Sequence, residues 1–519
     1  MKALRSESYK RGIVISTLLN IVNKGLVFVN SLLIAFYFGT QLKVDIYFYA
    51  YNTIFLLVAF VSSLTTSVLI PESMRIRAQK GRLAAMSFLN FFLYGYFLLT
   101  ALISLAFLID PVAVFTTLSN YAPSVLQQQT TILRLAIPLL ILVSITTLLT
   151  EILASLKFFT APMLVNIINA ISSLLFLLVF HKVWDVKSIL AGLLISYSVN
   201  IILLAYLLKS FLRWRFSFRF IKMEKRLLWN MLYAQMGNFG SVLGGYAPLY
   251  FLSGFGAGLI SSLNYAQQVV TQPATFITNQ FAAVAKIKVT ELYVSGKFSE
   301  VNVTVVRVVN FLVFILVPVS GLLFLFADEV IAILFKRGSF DVHSAQSSGL
   351  FLRYLGLSIP LTAIISVVSN LYFAAQLVKA SIIYQIISNL LLATLVYAGL
   401  KWLGAVGYPF AYLAINALNV LVAWFYCMRF FPFVKYQLIL KYFAVTIVLN
   451  FGLVMIVKFL VALLPPTSSF IRVFTGSGLY LALLLLANYF FTLNEDFSAI
   501  LANTKKKVMG SVFALKFGA

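Results

Sequence analysis

Charged and reactive side chains are scarce in this sequence, which excludes most classes of soluble protein. Only 10% of the 519 residues are charged and 62% are hydrophobic, with 14 acidic residues in all. A soluble domain needs more charge than this to cover its surface. The single cysteine excludes an internal disulfide and a multi-cysteine metal site, and two histidines do not make an imidazole cluster. We therefore expect no bound metal.

Long apolar runs make up most of the chain. About fourteen stretches of roughly 20 or more residues are separated by short polar links, and each could cross a hydrocarbon core about 30 Å thick. They lie at 13–36, 45–70, 83–108, 131–156, 158–180, 188–209, 228–253, 256–283, 301–326, 347–375, 380–400, 405–428, 442–464 and 471–493. The sequence therefore predicts an all-α polytopic membrane protein.

The basic residues predict how this bundle is oriented. If both termini are cytoplasmic, 27 of the 39 Lys and Arg residues fall in cytoplasmic segments and 7 on the opposite face. This is the bias of the positive-inside rule, and we expect a bacterial cytoplasmic (inner) membrane protein with cytoplasmic termini. The net charge of +25 then lies in loops beside anionic lipids, so we expect no nucleic-acid binding.

The most basic link, 209–228, divides the predicted spans into lobes. We expect an N-terminal lobe at 1–210, a basic cytoplasmic linker helix at 211–227, a C-terminal lobe at 228–428, and two extra spans with a cytoplasmic tail at 429–519. Arginines and aromatic residues alternate in the linker, which suits an interfacial helix on the inner leaflet. An ordinary positive-inside loop is the alternative.

Polar residues inside the predicted spans indicate a substrate path, because a charge near the bilayer centre costs at least ~2.5–3.5 kcal/mol and normally faces water or a partner. The candidate substrate-cavity residues are Lys24, Asn30, Asp45, Asn52, Gln235, Asn238, Asn264, Gln268 and Gln272. The last three recur every four residues and form one helical stripe. Amides at that depth either line an aqueous cavity or bond helices to one another.

Further charges within the predicted spans include Arg134, Glu151, Arg307 and Arg353. A structural role is favoured for each, because long side chains near a membrane face can snorkel to the interface. Glu151, together with Asp45, is nevertheless a candidate for ion coupling. Two roles remain open for Lys24, which could contact substrate or pair with Asp45.

An ordered set of short motifs runs through nearly the whole chain. The motifs are Phe38-Gly39 followed six residues later by Asp45, Leu69-Ile70-Pro71-Glu72 running to Gly81, Ser262-Leu263-Asn264-Tyr265-Ala266 with Pro273, LFKRGSF at 334–340, and Tyr372-Phe373-Ala374-Ala375 with Asn389. The set resembles the MviN/MurJ-type lipid flippases of the MOP exporter superfamily, in which FG-x5-D and LF-x-RG-x-F patterns recur.

The resemblance implies a fourteen-helix flippase of two six-helix lobes plus two C-terminal helices. In that family the first, second, seventh and eighth spans line a central cavity that opens alternately to either side. The cavity takes a polyprenyl-diphosphate-linked sugar headgroup, and the last two helices hold lipid tail. Lys24 lies where the family has its first cavity arginine. Its ammonium can still meet a phosphate, although without the fork of a guanidinium.

Three departures from the family pattern bear on the substrate. Asn30, Val58 and Gln268 stand at or near positions where the family has arginines. The cationic cluster is thereby reduced to Lys24. This favours either a lipid-linked oligosaccharide that differs in charge from lipid II or a route that uses amide and lysine contacts.

The expected function is movement of a lipid II-like or other lipid-linked oligosaccharide to the outer leaflet by alternating access. The alternatives are a capsule or O-antigen-type polysaccharide exporter, a cation-coupled drug exporter of the same superfamily, and a non-transporting membrane scaffold. An intramembrane transferase would need paired carboxylates for Mg²⁺ within the spans, so we expect no enzyme. We expect the protein to be a monomer without a cofactor. We expect its transport to be coupled to a proton, to sodium or to the membrane potential. Expected partners are anionic lipids at the basic loops and cell-envelope synthesis enzymes.

Overall fold

The computed structural model describes residues 9–158, 160–221, 223–463, 468–491, 493–495 and 497–499. Within these ranges the regular structure is helical, and no β-strand occurs. In hydrocarbon, backbone N–H and C=O groups must be bonded within their own segment, so long apolar runs form helices. The predicted all-α polytopic fold class is confirmed.

The first part of the chain begins with one long helix and ends in an antiparallel pair. Its helices are α1 (Tyr9–Phe38), α2 (Leu42–Leu64), α3 (Ile70–Lys80), α4 (Arg82–Ile109), α5 (Pro111–Thr117), α6 (Pro123–Gln128), α7 (Thr130–Ala136), α8 (Leu139–Ser155), α9 (Ala161–Trp184) and α10 (Lys187–Leu212). A π-helical segment at Thr65–Leu69 joins α2 to α3. The positive φ of Gly81, 83°, separates α3 from α4.

The second part follows a non-helical link. Its helices are α11 (Lys225–Leu252), α12 (Leu259–Pro273), α13 (Asn279–Val294), α14 (Phe298–Leu325), α15 (Ala327–Phe335), α16 (Val342–Gly356), α17 (Ile359–Ala374), α18 (Val378–Leu403), α19 (Gly407–Phe430), α20 (Tyr436–Ala462) and α21 (Ser469–Phe491). A π-helical segment at Ala274–Thr278 continues α12 into α13.

Most of these helices are long and apolar enough to cross a membrane. Ten segments of the described chain meet that standard, or eleven if the bent pair α16 and α17 is one span. One of the ten, Lys379–Phe430, contains both α18 and α19. Helices α11 and α12 coincide with predicted spans but carry several amides and glycines, and they are not among the ten. The total of about fourteen crossings therefore stays a prediction.

The first compact unit comprises Met1–Asn264, Phe335–Ser344 and Ile382–Ala405. Its core lies where α4, α8 and α10 pack around the end of α2, with Leu69, Leu148 and Leu208 fully buried. Helix α11 approaches α18 through glycines; a Cβ at Gly240 would lie 3.0 Å from the Cα of Ile386. Small residues permit such close approach between membrane helices.

The second compact unit comprises Tyr265–Leu334, Ala345–Ser381 and Val406–Ala519. Its main core is formed by α13, α14, α17 and α19, with Val309, Ile364 and Cys427 fully buried. A second cluster joins α20 and α21 to α14. The two units are defined by which helices pack together, and their bounds differ from those of the expected lobes. The division into lobes at 1–210 and 228–428 therefore stays a prediction.

The linker helix expected over 211–227 is wrong for the middle of that segment. Residues 213–221 are not helical, and α10 ends where Arg213 adopts a left-handed conformation with φ 45°. The side chain of Asn90 donates to the carbonyls of Arg215 at 2.6 Å and Ser217 at 3.2 Å, and accepts from the indole of Trp214 at 2.8 Å. The linker carbonyls are thus bonded to α4, and the loop alternative describes this segment.

Candidate functional site

Asp45 bonds the start of α2 to the start of α12. One carboxylate oxygen accepts the backbone N–H of Gly258 at 2.6 Å, and the other accepts the N–H and hydroxyl of Ser261 at 2.7 and 2.5 Å. The side chain has no exposed surface. These groups lie at a helix N-terminus, where unpaired N–H donors and the helix dipole favour a carboxylate. Asp45 therefore accepts the backbone N–H groups at the start of α12 that have no partner within the helix.

Two glycines let a distant loop dock on the end of α1. A Cβ at Gly338 would lie 2.3 Å from the carbonyl oxygen of Phe36, and a Cβ at Gly39 would lie 2.3 Å from that of Ser339. Both glycines have positive φ, 61° and 58°. The Ser339 N–H donates to the Phe36 carbonyl at 2.8 Å. The Phe38-Gly39 and LFKRGSF motifs thus interlock, and only glycine fits either position.

The same loop continues into α16 through a capping carboxylate. The Ser344 N–H donates to Asp341 at 2.8 Å, and the hydroxyls of Ser344 and Thr40 lie 2.7 Å apart. Hydrogen bonds from Ser344 hold the pKa of Asp341 below its usual range. The turn between α1 and α2 is therefore bonded to the α16 cap, and Asp45 in the first turn of α2 is bonded to the start of α12.

The amides predicted within the second, seventh and eighth spans bond these helices together. Asn52 on α2 donates to Asn264 on α12 at 3.2 Å. Nearer the end of α2, the Ser63 hydroxyl donates to the side-chain oxygen of Gln235 on α11 at 3.1 Å. The side-chain nitrogen of Gln235 donates to the Phe60 carbonyl, also at 3.1 Å. Asn238, one turn further along α11, is half-buried. In this conformation the amides act as interhelical contacts, and a role in binding substrate stays a prediction.

Lys24 lies in the middle of α1, fourteen residues or about 21 Å before its end at Phe38. Its side chain is half-buried, and no carboxylate within the described residues lies within 4.0 Å of its ammonium. Asp45 bonds to α12 instead, so the structure contains no Lys24–Asp45 pair. An ammonium at this depth without a carboxylate partner is a candidate contact for an anionic substrate.

Amide oxygens lie on the same helix as Lys24. Asn30 donates to Ser173 on α9 at 3.1 Å. The side-chain oxygens of Asn23 and Asn30 are buried and accept no hydrogen bond from the described chain. Seven residues apart, they share a helical face. A ligand with hydroxyl or amide donors would satisfy both.

The remaining candidates lie on other helices. Gln268 and Gln272 are half-buried on α12, where the Gln272 amide donates to the Gln268 carbonyl at 2.9 Å. Glu151 is half-buried in the last turns of α8, and no ion pair to it occurs within the described residues. Arg353 pairs with Asp328 at 2.6 Å, which accounts for one of the intramembrane charges. Arg134 is exposed in the short helix α7.

Several residues of these contacts were not singled out by the sequence. Ser261 and Gly258 bind Asp45, and Ser173 binds Asn30. Small residues of this kind are common in membrane helices, so composition does not mark them. The adjacent serines before Asn264 were the available signal.

Comparison with known proteins assigns the family. The family model for the lipid II flippase MurJ matches residues 34–475. The chain belongs to the MurJ lipid II flippase family. A probable lipid II flippase MurJ of Borreliella burgdorferi is 22% identical over 380 residues, 73% of this chain and 75% of that protein. The corresponding Buchnera aphidicola protein is 23% identical over 383 residues, covering 70% and 73%.

Solved structures agree on the fold. A lipid II flippase MurJ in an inward closed conformation superposes with a TM-score of 0.78 at 17% identity, covering 92% of this chain and 99% of that one. An inward-facing multidrug resistance MATE family transporter of the MOP superfamily gives 0.65 at 15% identity, covering 82% and 96%. The MurJ family is one of membrane transporters, and the fold of this chain is the MOP transporter fold.

Proposed function

We propose that this protein moves a polyprenyl-diphosphate-linked peptidoglycan precursor of the lipid II class across the bacterial cytoplasmic membrane. The observation that carries the proposal is the MurJ family match over residues 34–475, because it covers the candidate cavity residues from Asp45 to Gln272. The Borreliella burgdorferi and Buchnera aphidicola relatives are both described as probable lipid II flippases, which favours lipid II over a drug or capsule exporter.

Lys24 is the substrate's cationic contact in this proposal. A diphosphate crosses hydrocarbon only where a protein supplies charge or hydrogen bonds along its route. The ammonium of Lys24 has no carboxylate partner within the described chain, and the unbonded amide oxygens of Asn23 and Asn30 are available to sugar hydroxyls. Lysine binds phosphate as a point charge, so the contact tolerates a moving headgroup.

The side-chain hydrogen bonds that amides form between α2, α11 and α12 are the contacts that we expect to break and re-form during transport. Asn52 with Asn264, and Gln235 with Ser63, are neutral hydrogen bonds worth about 0.5–1.5 kcal/mol each. Bonds of that strength can open without a large barrier when water or substrate hydroxyls replace them. We expect coupling to an ion or to the membrane potential, with Glu151 as the carboxylate to test.

Leaflet exposure of labelled precursor in spheroplasts tests the function. Cells depleted of their own lipid II flippase and expressing this protein should expose lipid II at the outer leaflet and resume growth. Cells carrying the same membrane level of Lys24→Ala should do neither. Exposure of another polyprenyl-diphosphate-linked glycan but not lipid II would overturn the substrate and keep the flippase. Exposure of neither glycan would overturn the flippase assignment.

A further inference from the structure

A small polar pocket of about 110 Å³ lies in the first compact unit, where helices α2, α7 and α10 begin. The predicted orientation places this end of the helices on the extracytoplasmic side. A water molecule occupies about 30 Å³, so the pocket has room for one small chemical group rather than for a whole sugar headgroup. The polar residues that line it are Lys43, Gln128, Gln129, Thr131, Asp185 and Lys187.

The first cation of the pocket, Lys43, is already paired. Its ammonium donates to a carboxylate oxygen of Asp185 at 2.6 Å, and 28% and 42% of the two side chains are exposed. The ammonium also lies over the ring of Phe38, 5.6 Å from its centroid. Asp185 joins α9 to α10 with a left-handed φ of 54°. Lys43 and Asp185 together therefore carry no net charge into the pocket.

The second cation, Lys187 at the start of α10, is not balanced. Its side chain is half-buried, and no carboxylate of the described chain lies within 4.0 Å of its ammonium. The lining segments, at 43, 128–132 and 185–187, lie within the described ranges 9–158 and 160–221. Two cations against one anion leave these segments with one surplus positive charge. A half-buried ammonium without a partner favours an anionic ligand.

We propose that this pocket binds a phosphate group, with Lys187 as its main cationic contact and Lys43 as the second. Five of the lining side chains can donate hydrogen bonds, which are the two lysines, the two glutamines and Thr131. A carboxylate offers two acceptor oxygens and a terminal phosphate offers three, so the donor set fits the phosphate better. A free phosphate ion and a lipid headgroup both present this group.

The proposed phosphate site is separate from Lys24. That residue lies fourteen positions, or about 21 Å, before the end of α1 at Phe38, and it does not line the pocket. The candidate substrate-cavity residues do not line it either. The site therefore does not depend on the proposed transport function, and the two proposals can fail independently.

Titration of the purified full-length protein with inorganic phosphate, followed by calorimetry, tests the site. Lys187→Gln should weaken binding roughly tenfold, because it removes a charged donor, and Lys187→Arg should restore most of the affinity. Asp185→Asn should tighten binding about three- to tenfold, because it removes a like charge and releases the Lys43 ammonium. Asparagine tolerates the left-handed conformation at this position.

Lys182→Gln is the matched control, because Lys182 is an exposed cation in the last turn of α9 and does not line the pocket. It should leave the affinity unchanged. Binding that Lys24→Ala abolishes and Lys187→Gln preserves would assign the phosphate to Lys24 and overturn the proposal. Acetate that bound as tightly as phosphate, or an Asp185→Asn protein that bound no more tightly than wild type, would also overturn it.

Competition in phosphatidylcholine nanodiscs identifies the source of the phosphate. If a polyprenyl diphosphate displaces inorganic phosphate from the wild type, the pocket takes the phosphate of a lipid headgroup. If inorganic phosphate stays bound at saturating polyprenyl diphosphate, the ligand is the free ion. Either result supports a phosphate site, provided that the bound phosphate is lost in Lys187→Gln.

Discussion

Replacing Asp45 by alanine should destabilise the protein more than removing an ordinary helix cap. The change strands the backbone N–H groups of Gly258 and Ser261 in a buried site. The Ser261 hydroxyl keeps a second acceptor, the Gly258 carbonyl at 3.1 Å, so it adds little. Each buried unbonded donor costs about 1–3 kcal/mol, which gives about 2–6 kcal/mol for the pair.

Thermal unfolding of the purified protein in detergent, followed by aggregation onset, measures this difference. Asp45→Asn keeps one acceptor and should cost about half as much. Asp110→Ala is the matched control: Asp110 is exposed, caps α5 with one bond from the Ala113 N–H at 2.9 Å, and should cost about 1 kcal/mol. Ser261→Ala should be mild, because it leaves both backbone bonds in place. If Asp45→Ala and Asp110→Ala unfolded at the same temperature, this reasoning would be refuted.

Three further predictions concern separate parts of the molecule. Gly338→Ala should lower the melting temperature, because its Cβ would overlap the Phe36 carbonyl, whereas Gly95→Ala, with no atom within 4 Å of the added carbon, should not. Asn90→Ala removes the hydrogen-bond donor to the carbonyls of Arg215 and Ser217, so a protease should cut within residues 213–221 faster than in the wild type. Reporter fusions after Tyr121 should behave as extracytoplasmic and those after Lys80 as cytoplasmic; the reverse would contradict the predicted orientation.

The membrane helices could be predicted closely because apolar length alone specifies them. The span expected at 83–108 corresponds to α4 at Arg82–Ile109, and that at 301–326 to α14 at Phe298–Leu325. Hydrocarbon leaves a long apolar segment with few alternatives to helix. The linker was mispredicted because its backbone is held by Asn90, a residue more than 120 positions away.

The partners of the site residues could not be predicted, because contacts between distant segments leave no local pattern. Asp45 was identified as an intramembrane carboxylate, but its bond to Gly258 spans 213 positions. The motifs at Phe38-Gly39 and 334–340 were visible as separate signals, and only the fold shows that their glycines face each other. The stripe of Asn264, Gln268 and Gln272 was predictable because these residues recur every four positions along one helix. The hydrogen bond between Asn52 and Asn264 was not predictable.

The most direct test of the central claim is transport of a polyprenyl-diphosphate-linked disaccharide in proteoliposomes that contain wild-type protein, Lys24→Ala, Lys24→Arg or Lys24→Glu. We predict that wild type and Lys24→Arg translocate the lipid, that Lys24→Ala is inactive at equal reconstituted amounts, and that Lys24→Glu is inactive and no longer binds it. Removing the ammonium should not unfold the protein, because no carboxylate pairs with it in the described chain. A fully active Lys24→Ala protein would contradict the assignment of Lys24 as the cation that meets the diphosphate.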